Sequence, residues 1–166
     1  MLSECTMASP VGELTLVASE QGLRAILWPE EREGRVPLPE RQSDSAHAIL
    51  AEAVRQLTEY FEGRRRDFDL PRDPVGTEFQ KSVWTGLNAI PYGETRSYAA
   101  LAVAIGRPGA SRAVGAANGR NPLSIVTPCH RVIGANGALT GFAGGLAVKQ
   151  WLLAHERGER ALALEP

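Results

Sequence analysis

The sequence predicts an α/β chain in two parts: a small N-terminal α/β domain, residues 1–73, built from an antiparallel sheet plus a helix, and a mostly helical C-terminal domain, residues 74–166. Three observations carry that reading. Short apolar runs punctuated by turn residues fill the chain up to Trp28, helical spacing of apolar residues recurs after Gly76, and the charge balance reverses near Asp73. Residues 1–73 hold nine Lys or Arg against fourteen Asp or Glu, a net −5, and residues 74–166 hold nine against five, a net +4, so the overall −1 conceals two differently charged halves.

The acidic half begins with "ECTMAS" and "ELTLVAS" around "PVG", the pattern of a hairpin, and "GLRAILW" supplies a third strand after the turn at "SEQG". "EEREGRVPLPERQ" reads as a polar loop. "SDSAHAILAEAVRQLTEYFEG" then opens with capping residues and spaces Leu50, Ala53, Val54, Leu57 and Phe61 along one face of a helix that stops at Gly63. The arginines at 64–66 suit the negative end of that helix and read as solvated. "DFDLPRDPVG" offers a short strand and then a linker, which sets the boundary near Pro74.

In the second half, "TEFQKSVWTGLNAI" aligns Phe79, Val83, Leu87 and Ile90 until "PYGE" stops it. "SYAALAVAIG" starts at a Ser cap and aligns Tyr98, Leu101, Ala102 and Ile105. After the turn "RPG", "ASRAVGAANGR" puts Ala110, Ala113, Val114 and Ala117 on one face and Arg112, Gly115, Ala116 and Gly119 on another. This pair of helices reads as a winged helix-turn-helix-like motif. A major-groove reader carries several long polar side chains to reach base edges; this helix has one arginine among tiny residues. Such a face suits close, sequence-tolerant contact with a minor groove, Arg112 entering the base stack; taken alone, the same small residues favour tight helix packing inside the protein. From Arg96 to Arg131 there are five arginines and no acid, a stretch that fits either a polyanion or a solvated basic face.

Composition narrows the function classes. With 43% hydrophobic and 22% charged residues the chain is a globular rather than a disordered one. It has neither the roughly 20-residue apolar run of a membrane span nor a secretory leader, which points to a cytoplasmic protein with no membrane partner. Cys5 and Cys129, far apart in sequence, are expected as reduced thiols.

"TPCHRVIGANG" places Cys129 beside His130 after an apolar, strand-like approach stiffened by Pro128, with Gly134 and Gly137 closing a hairpin-like turn. A lone cysteine is commonly a small buried hydrophobe. In an extended segment, neighbouring side chains point to opposite faces, so a direct Cys129–His130 bond is not expected and a water would carry the proton between them. A carboxylate behind the histidine would fix its tautomer. Glu156 is the candidate, on the helix "GLAVKQWLLAHERG", where Lys149 shares its face about 10 Å away.

The runs "PYGETRSYAALA", "NPLSIVTPCHRVIG" and "GGLAVKQWLLAHE" resemble the O6-alkylguanine-DNA alkyltransferases, also called methylated-DNA–protein-cysteine methyltransferases, from about Gly76 to Glu156, and "SPVGELTL" extends the likeness to the N-terminal part. The resemblance implies a suicide repair protein that flips O6-alkylguanine out of duplex DNA and transfers the alkyl group irreversibly to its own cysteine, with no cofactor. It makes Cys129 the acceptor, His130 and Glu156 the relay to its thiolate, Asn121 the brace of the active-site turn and Tyr98 the donor to the leaving guanine. Arg112 becomes the finger that fills the gap left by the flipped nucleotide, with Ser111, Gly115, Ala116, Gly119, Tyr98 and Arg96 against DNA. Pro128, Val132, Phe142, Ala143 and Lys149 line the substrate pocket. A monomer on double-stranded DNA is the expected form, and the sequence leaves cooperative assembly along DNA open.

Two departures qualify the likeness. Phe142 and Ala143 stand where some relatives carry tyrosine and serine, which removes two hydroxyls from the pocket and leaves the tolerance of bulky alkyl groups open. Some relatives hold a structural zinc with two cysteines and two histidines; here Ser19 and Arg24 replace two ligands beside Cys5, one thiol cannot make a tetrahedral site, and no metal is expected. His47 and His155 are read as packing or surface residues. A helix-turn-helix regulator would leave "PCHR" unused, and a lesion sensor that binds without accepting the group would lack the cysteine. A turnover cysteine hydrolase usually draws its Cys and His from distant segments.

Overall fold

The computed structural model describes residues 1–159. β1 (Leu2–Met7) and β2 (Leu14–Ala18) form the expected antiparallel hairpin, its turn held by the Ser9 hydroxyl donating to the Gly12 carbonyl at 2.6 Å. β3 (Leu23–Leu27) pairs antiparallel with β2, and β4 (Arg41–Ser43) runs parallel to β1, giving the order β3-β2-β1-β4. β4 lies in the stretch expected to be a loop. Its three residues, none of them buried, carry no alternation that could announce a strand. The strand expected in "DFDLPRDPVG" reduces to a single parallel bridge, Leu23 with Arg72, because the flanking prolines cannot donate to a ladder.

α1 (Ala48–Phe61) packs Leu50, Ala53 and Leu57 onto the sheet beside Leu14 and Leu16. Val54 and Phe61 flank this core half-buried, whereas Gln56 and Tyr60, outside the expected apolar set, are buried in it. The expected cap is absent: the first turn follows His47, with no side-chain cap, since Asp44 spends its carboxylate on the Ala46 amide in a turn three residues earlier. Burying a leucine of this kind stabilises the fold by about 1.5–3 kcal/mol. Leu57→Ala would cost about 2–5 kcal/mol through the cavity it leaves.

α2 (Glu78–Asn88) starts at a full capping box between Thr77 and Gln80, and α3 (Tyr98–Ala104) starts at the Ser97 cap. A Cβ at Gly86 would stand 2.6 Å from Ile105, so glycine is what lets α2 approach the end of α3. Gly106, at φ 77°, ends α3 and turns the chain towards α4 (Ser111–Gly119). Val83, Trp84, Leu87, Leu101, Ala102, Val114 and Ala117 make a second core that also contains Cys129. Ala113, expected on the packed face of α4, is exposed. β5 (Arg96–Ser97) pairs with β6 (Val132–Ile133) in parallel, so the segment after "PCHR" is no simple hairpin, although Gly134 and Ala138 do close a turn at 2.9 Å. α5 (Leu146–Glu156) completes the chain's described elements.

The halves interlock. β3 is the open edge of the sheet, and its Ile26 amide donates to the Pro122 carbonyl at 2.8 Å, so the sheet edge continues into the segment that leads to Cys129. The first core accordingly draws on Leu123, Ile125, Val126, Val148, Trp151 and Leu152.

Candidate active site

Residues 121–132 are all buried, and their conformation is imposed from outside. Ile125 sits at φ 75°, a region a β-branched residue occupies at a cost of about 1–3 kcal/mol. Asn121 supplies the compensation: its Nδ2 donates to the Thr127 carbonyl at 2.9 Å and its Oδ1 accepts from the Leu123 amide at 3.0 Å. Arg35 reaches across from the N-terminal half to the carbonyls of Gly119 and Asn121 at 3.2 and 3.0 Å, while its Nε is paired with Glu31. Trp28 donates to the Ser124 hydroxyl at 3.2 Å and meets Phe142 edge-on at 5.5 Å.

Cys129–Arg131 form one 3₁₀ turn, a correction to the extended segment expected. The Cys129 amide bonds to the Thr127 carbonyl and the Arg131 amide to that of Pro128, which tightens the backbone. With three residues per turn, successive side chains diverge by about 120°. Cys129 therefore faces the helical core, His130 faces α5, and among the described residues no hydrogen bond joins them.

His130, fully buried, meets the Glu156 carboxylate through Nε2 at 2.7 Å, and its Nδ1 has no hydrogen-bond partner among the described residues. Arg131 grips the same carboxylate with Nε at 2.8 Å and Nη2 at 3.0 Å, and its Nη1 donates to the Ile90 carbonyl at 2.7 Å. The Tyr60 hydroxyl donates to Glu156 at 2.7 Å and the Gly93 amide at 3.3 Å. Lys149, also fully buried, donates to the Val132 carbonyl at 2.6 Å and lies 3.4 Å from the Thr140 hydroxyl, which is bonded to the Tyr98 hydroxyl at 2.5 Å.

Burial pushes the Cys129 thiol up; the Asn121 and Ser124 side chains and the charges of Arg35 and Lys149 oppose it without reversing it. Burial lowers His130, against the pull of Glu156, so the imidazole rests neutral. Burial would raise the Glu156 carboxyl, but its bonds to His130 and Arg131 outweigh that and hold it well below the usual carboxylate range. Desolvation also lowers Lys149. A neutral imidazole held by a fixed carboxylate is chemically able to accept a proton, and here it stands next in sequence to a protonated thiol.

Comparisons with known proteins identify the family. The DNA binding domain of the 6-O-methylguanine DNA methyltransferases matches residues 78–158, and the ribonuclease-like domain of the same proteins matches residues 3–74. The chain belongs to the 6-O-methylguanine DNA methyltransferase family. Similar members include the methylated-DNA–protein-cysteine methyltransferase of Methanosarcina acetivorans, 50% identical over 145 residues that cover 87% of this chain and 92% of that one. That of Shigella flexneri is 48% identical, covering 93% and 95%. The crystal structure of Mycobacterium tuberculosis OGT in complex with DNA superposes with a TM-score of 0.84 at 46% identity, covering 95% of this chain and 92% of that one.

In this family member the remaining site residues fall into two groups. Cys129, His130, Glu156, Asn121, Lys149, Pro128 and Val132 are buried together, with Tyr98 half-buried at their edge. Phe142 is half-buried against the Cys129 core, and Ala143 is exposed beside it. On α4, Arg112, Ala116 and Gly119 are exposed and Ser111 and Gly115 half-buried, so this face does not pack inside the chain. The Tyr98 ring approaches it, 3.8 Å from a Cβ placed on Gly115. Arg96 is exposed and paired with Glu94. Ser19 and Arg24 both bond to Asp73, at 2.6 and 2.8 Å. His155 stacks on Trp151, and His47 lies 3.6 Å from Glu20. Arg64 and Arg65, expected to be solvated, pair with Glu59, and Arg66 lies over Tyr92. Sequence reasoning missed Tyr60, Arg35 and the role of Arg131; the last stands inside the quoted motif, and its adjacency to His130 was the available signal.

Proposed function

We propose that this protein repairs O6-alkylguanine in double-stranded DNA by transferring the alkyl group to Cys129 in one irreversible step. The observation that carries the reading is the buried turn in which Cys129 precedes a histidine bonded to Glu156 on one nitrogen and unpartnered on the other. The substrate carbon lies inside the duplex, so the nucleotide turns out of the stack at a cost of a few kcal/mol, with Arg112 filling its place from the minor groove. Ser111, Gly115, Ala116 and Gly119 let the α4 backbone approach the DNA, and the exposed Arg96, two residues before Tyr98, adds a cation for its backbone. Contact of this kind is sequence-tolerant, and a monomer suffices for it, with cooperative binding along DNA open to it.

The flipped base enters between Phe142, Ala143, Pro128 and Val132. A water passes the thiol proton from Cys129 to Nδ1 of His130, whose charge Glu156 balances. The thiolate attacks the alkyl carbon, the S–C bond forms as the C–O bond breaks, and the electron pair leaves on guanine O6. The Tyr98 hydroxyl protonates the leaving guanine, and Lys149 offsets the negative charge of the site. No cofactor enters, and the alkyl-cysteine is the end state. The matches to residues 3–74 and 78–158 support a division into two domains at 73/74, and the free Cys5 and Cys129 support a cytoplasmic setting. Among the described residues no helix is long and apolar enough to cross a membrane, and no three His, Cys, Asp or Glu side chains group as metal ligands.

Cys129→Ser tests the reading. It is expected to bind a duplex containing O6-methylguanine in a gel-shift assay and to remove no methyl group from it. Transfer at the wild-type rate would remove Cys129 from its role.

A further inference from the structure

We propose that Tyr60, contributed by α1 of the N-terminal half, is a positioning residue of the transfer reaction that sets how strongly Glu156 holds the His130 ring. The inference rests on the relay described under the proposed function and adds to it a member from outside the segments that resemble the family's reactive motifs.

The geometry is specific. Tyr60 and His130 both bond to the same oxygen, Oε2 of Glu156, each at 2.7 Å, and Arg131 Nη2 is the third donor to that atom at 3.0 Å. Tyr60 has no exposed surface. Its hydroxyl remains a donor because burial and the nearby carboxylate push its own ionisation well above the ordinary tyrosine value. The position is fixed from behind: the His155 ring donates from Nε2 to the Tyr60 carbonyl at 2.7 Å, and Phe61, Phe68, Tyr92 and His155 surround the phenol ring. The last turns of α1 and α5 are thus clamped together at the carboxylate.

A carboxylate oxygen shared among donors gives less to each. With Tyr60 present, the pull on His130 is moderated and the ring stays neutral, able to accept the thiol proton. Without the hydroxyl, His130 would take a larger share of Oε2 and hold a proton more tightly, which spoils it as a base at neutral pH. The other charged or titratable groups facing this pair are Arg131, Tyr92 and, from the far side of His130, Lys149, with Arg66 stacked over Tyr92 and His155 against Tyr60. None of them changes in Tyr60→Phe, which deletes one oxygen and keeps the ring.

Single-turnover transfer from a duplex carrying O6-methylguanine, measured across pH on the full chain, tests this. In Tyr60→Phe the acid limb is expected to move to higher pH by about half a unit to one unit, with the rate at the wild-type midpoint down about two- to fivefold and duplex binding unchanged. A curve that superposes on wild type, or a rate lowered evenly at every pH, overturns the inference and leaves the cysteine reading intact. Failure of the wild-type protein to transfer, or unchanged transfer by Glu156→Gln, would instead strike the relay itself. Should Tyr60→Phe not fold, NMR of the wild type decides: a slowly exchanging Tyr60 hydroxyl proton near the His130 ring is expected, and a freely exchanging one overturns the assignment.

Discussion

Arg131 and Arg112 show two opposite uses of one side chain. Arg131 is buried, and its guanidinium makes three hydrogen bonds, two to Glu156 and one to the Ile90 carbonyl. Arg112 is exposed on α4, and its side chain makes no hydrogen bond or ion pair with the other described residues. The difference separates two regions. Around Glu156 every donor is committed before substrate arrives, so the reactive groups have fixed protonation and orientation. On the outer face of α4 nothing is committed, and tiny side chains leave the backbone free to meet a large, featureless partner. Preset electrostatics suit the chemical step, in which no time remains for reorganisation; uncommitted surface suits recognition by shape and charge.

The comparison breaks most readily at Glu156. Glu156→Gln leaves the Arg131 guanidinium buried without its counter-charge, so a loss of about 3–5 kcal/mol in denaturant unfolding is expected, with transfer slowed by about 10²–10⁴. A protein of undiminished stability would mean that the cluster is more solvated than its burial implies. The same cluster predicts an acid dependence. His130 and Glu156 are both lowered in the folded state, so each contributes stability that is present above its unfolded pKa and lost as pH falls towards its folded value. The thermal midpoint is expected to hold above about pH 6.5 and to decline below it, with a second decline below about 4.5. His130→Gln should remove the first decline; a wild-type midpoint flat from pH 7 to 5 would contradict the neutral buried histidine.

At the exposed face the expected effects are smaller and show in function rather than stability. Arg112→Ala is expected to slow repair of duplex substrate about tenfold while reaction with free O6-benzylguanine stays within about twofold and the melting temperature does not move. Equal losses on both substrates would remove the finger role. The smallest effect belongs to Arg55, a solvent-facing residue of α1 paired with Glu52 and Glu59. Arg55→Ala should leave both unfolding and transfer unchanged, since exposed pairs of this kind contribute little.

The parts legible from sequence are those governed by local spacing. The caps at Thr77 and Ser97 and the periodicity of Val83 and Leu87 or of Leu101 and Ala102 lie within a few residues of the structure they specify. The order of Cys129 and His130 was legible too, although the 3₁₀ turn was not, because a turn set by the Thr127 and Pro128 carbonyls has no apolar period. Contacts between the two halves of the chain left no trace. Tyr60 reads as one more apolar helix residue until Glu156, 96 positions later, is placed against its hydroxyl. Arg35 sits in a polar loop and reads as solvated until the carbonyls of Gly119 and Asn121, at the end of α4 and just past it, arrive 84 and 86 positions later.

The most direct test of the central claim is the intact mass of the purified protein after mixing with a duplex bearing one O6-methylguanine, followed by peptide mapping. The account predicts a gain of one CH₂ unit, on the peptide containing Cys129, saturating at one per protein however much substrate is added. Guanine restored in the DNA with no gain in protein mass, or a methyl group mapped to Cys5, would contradict it.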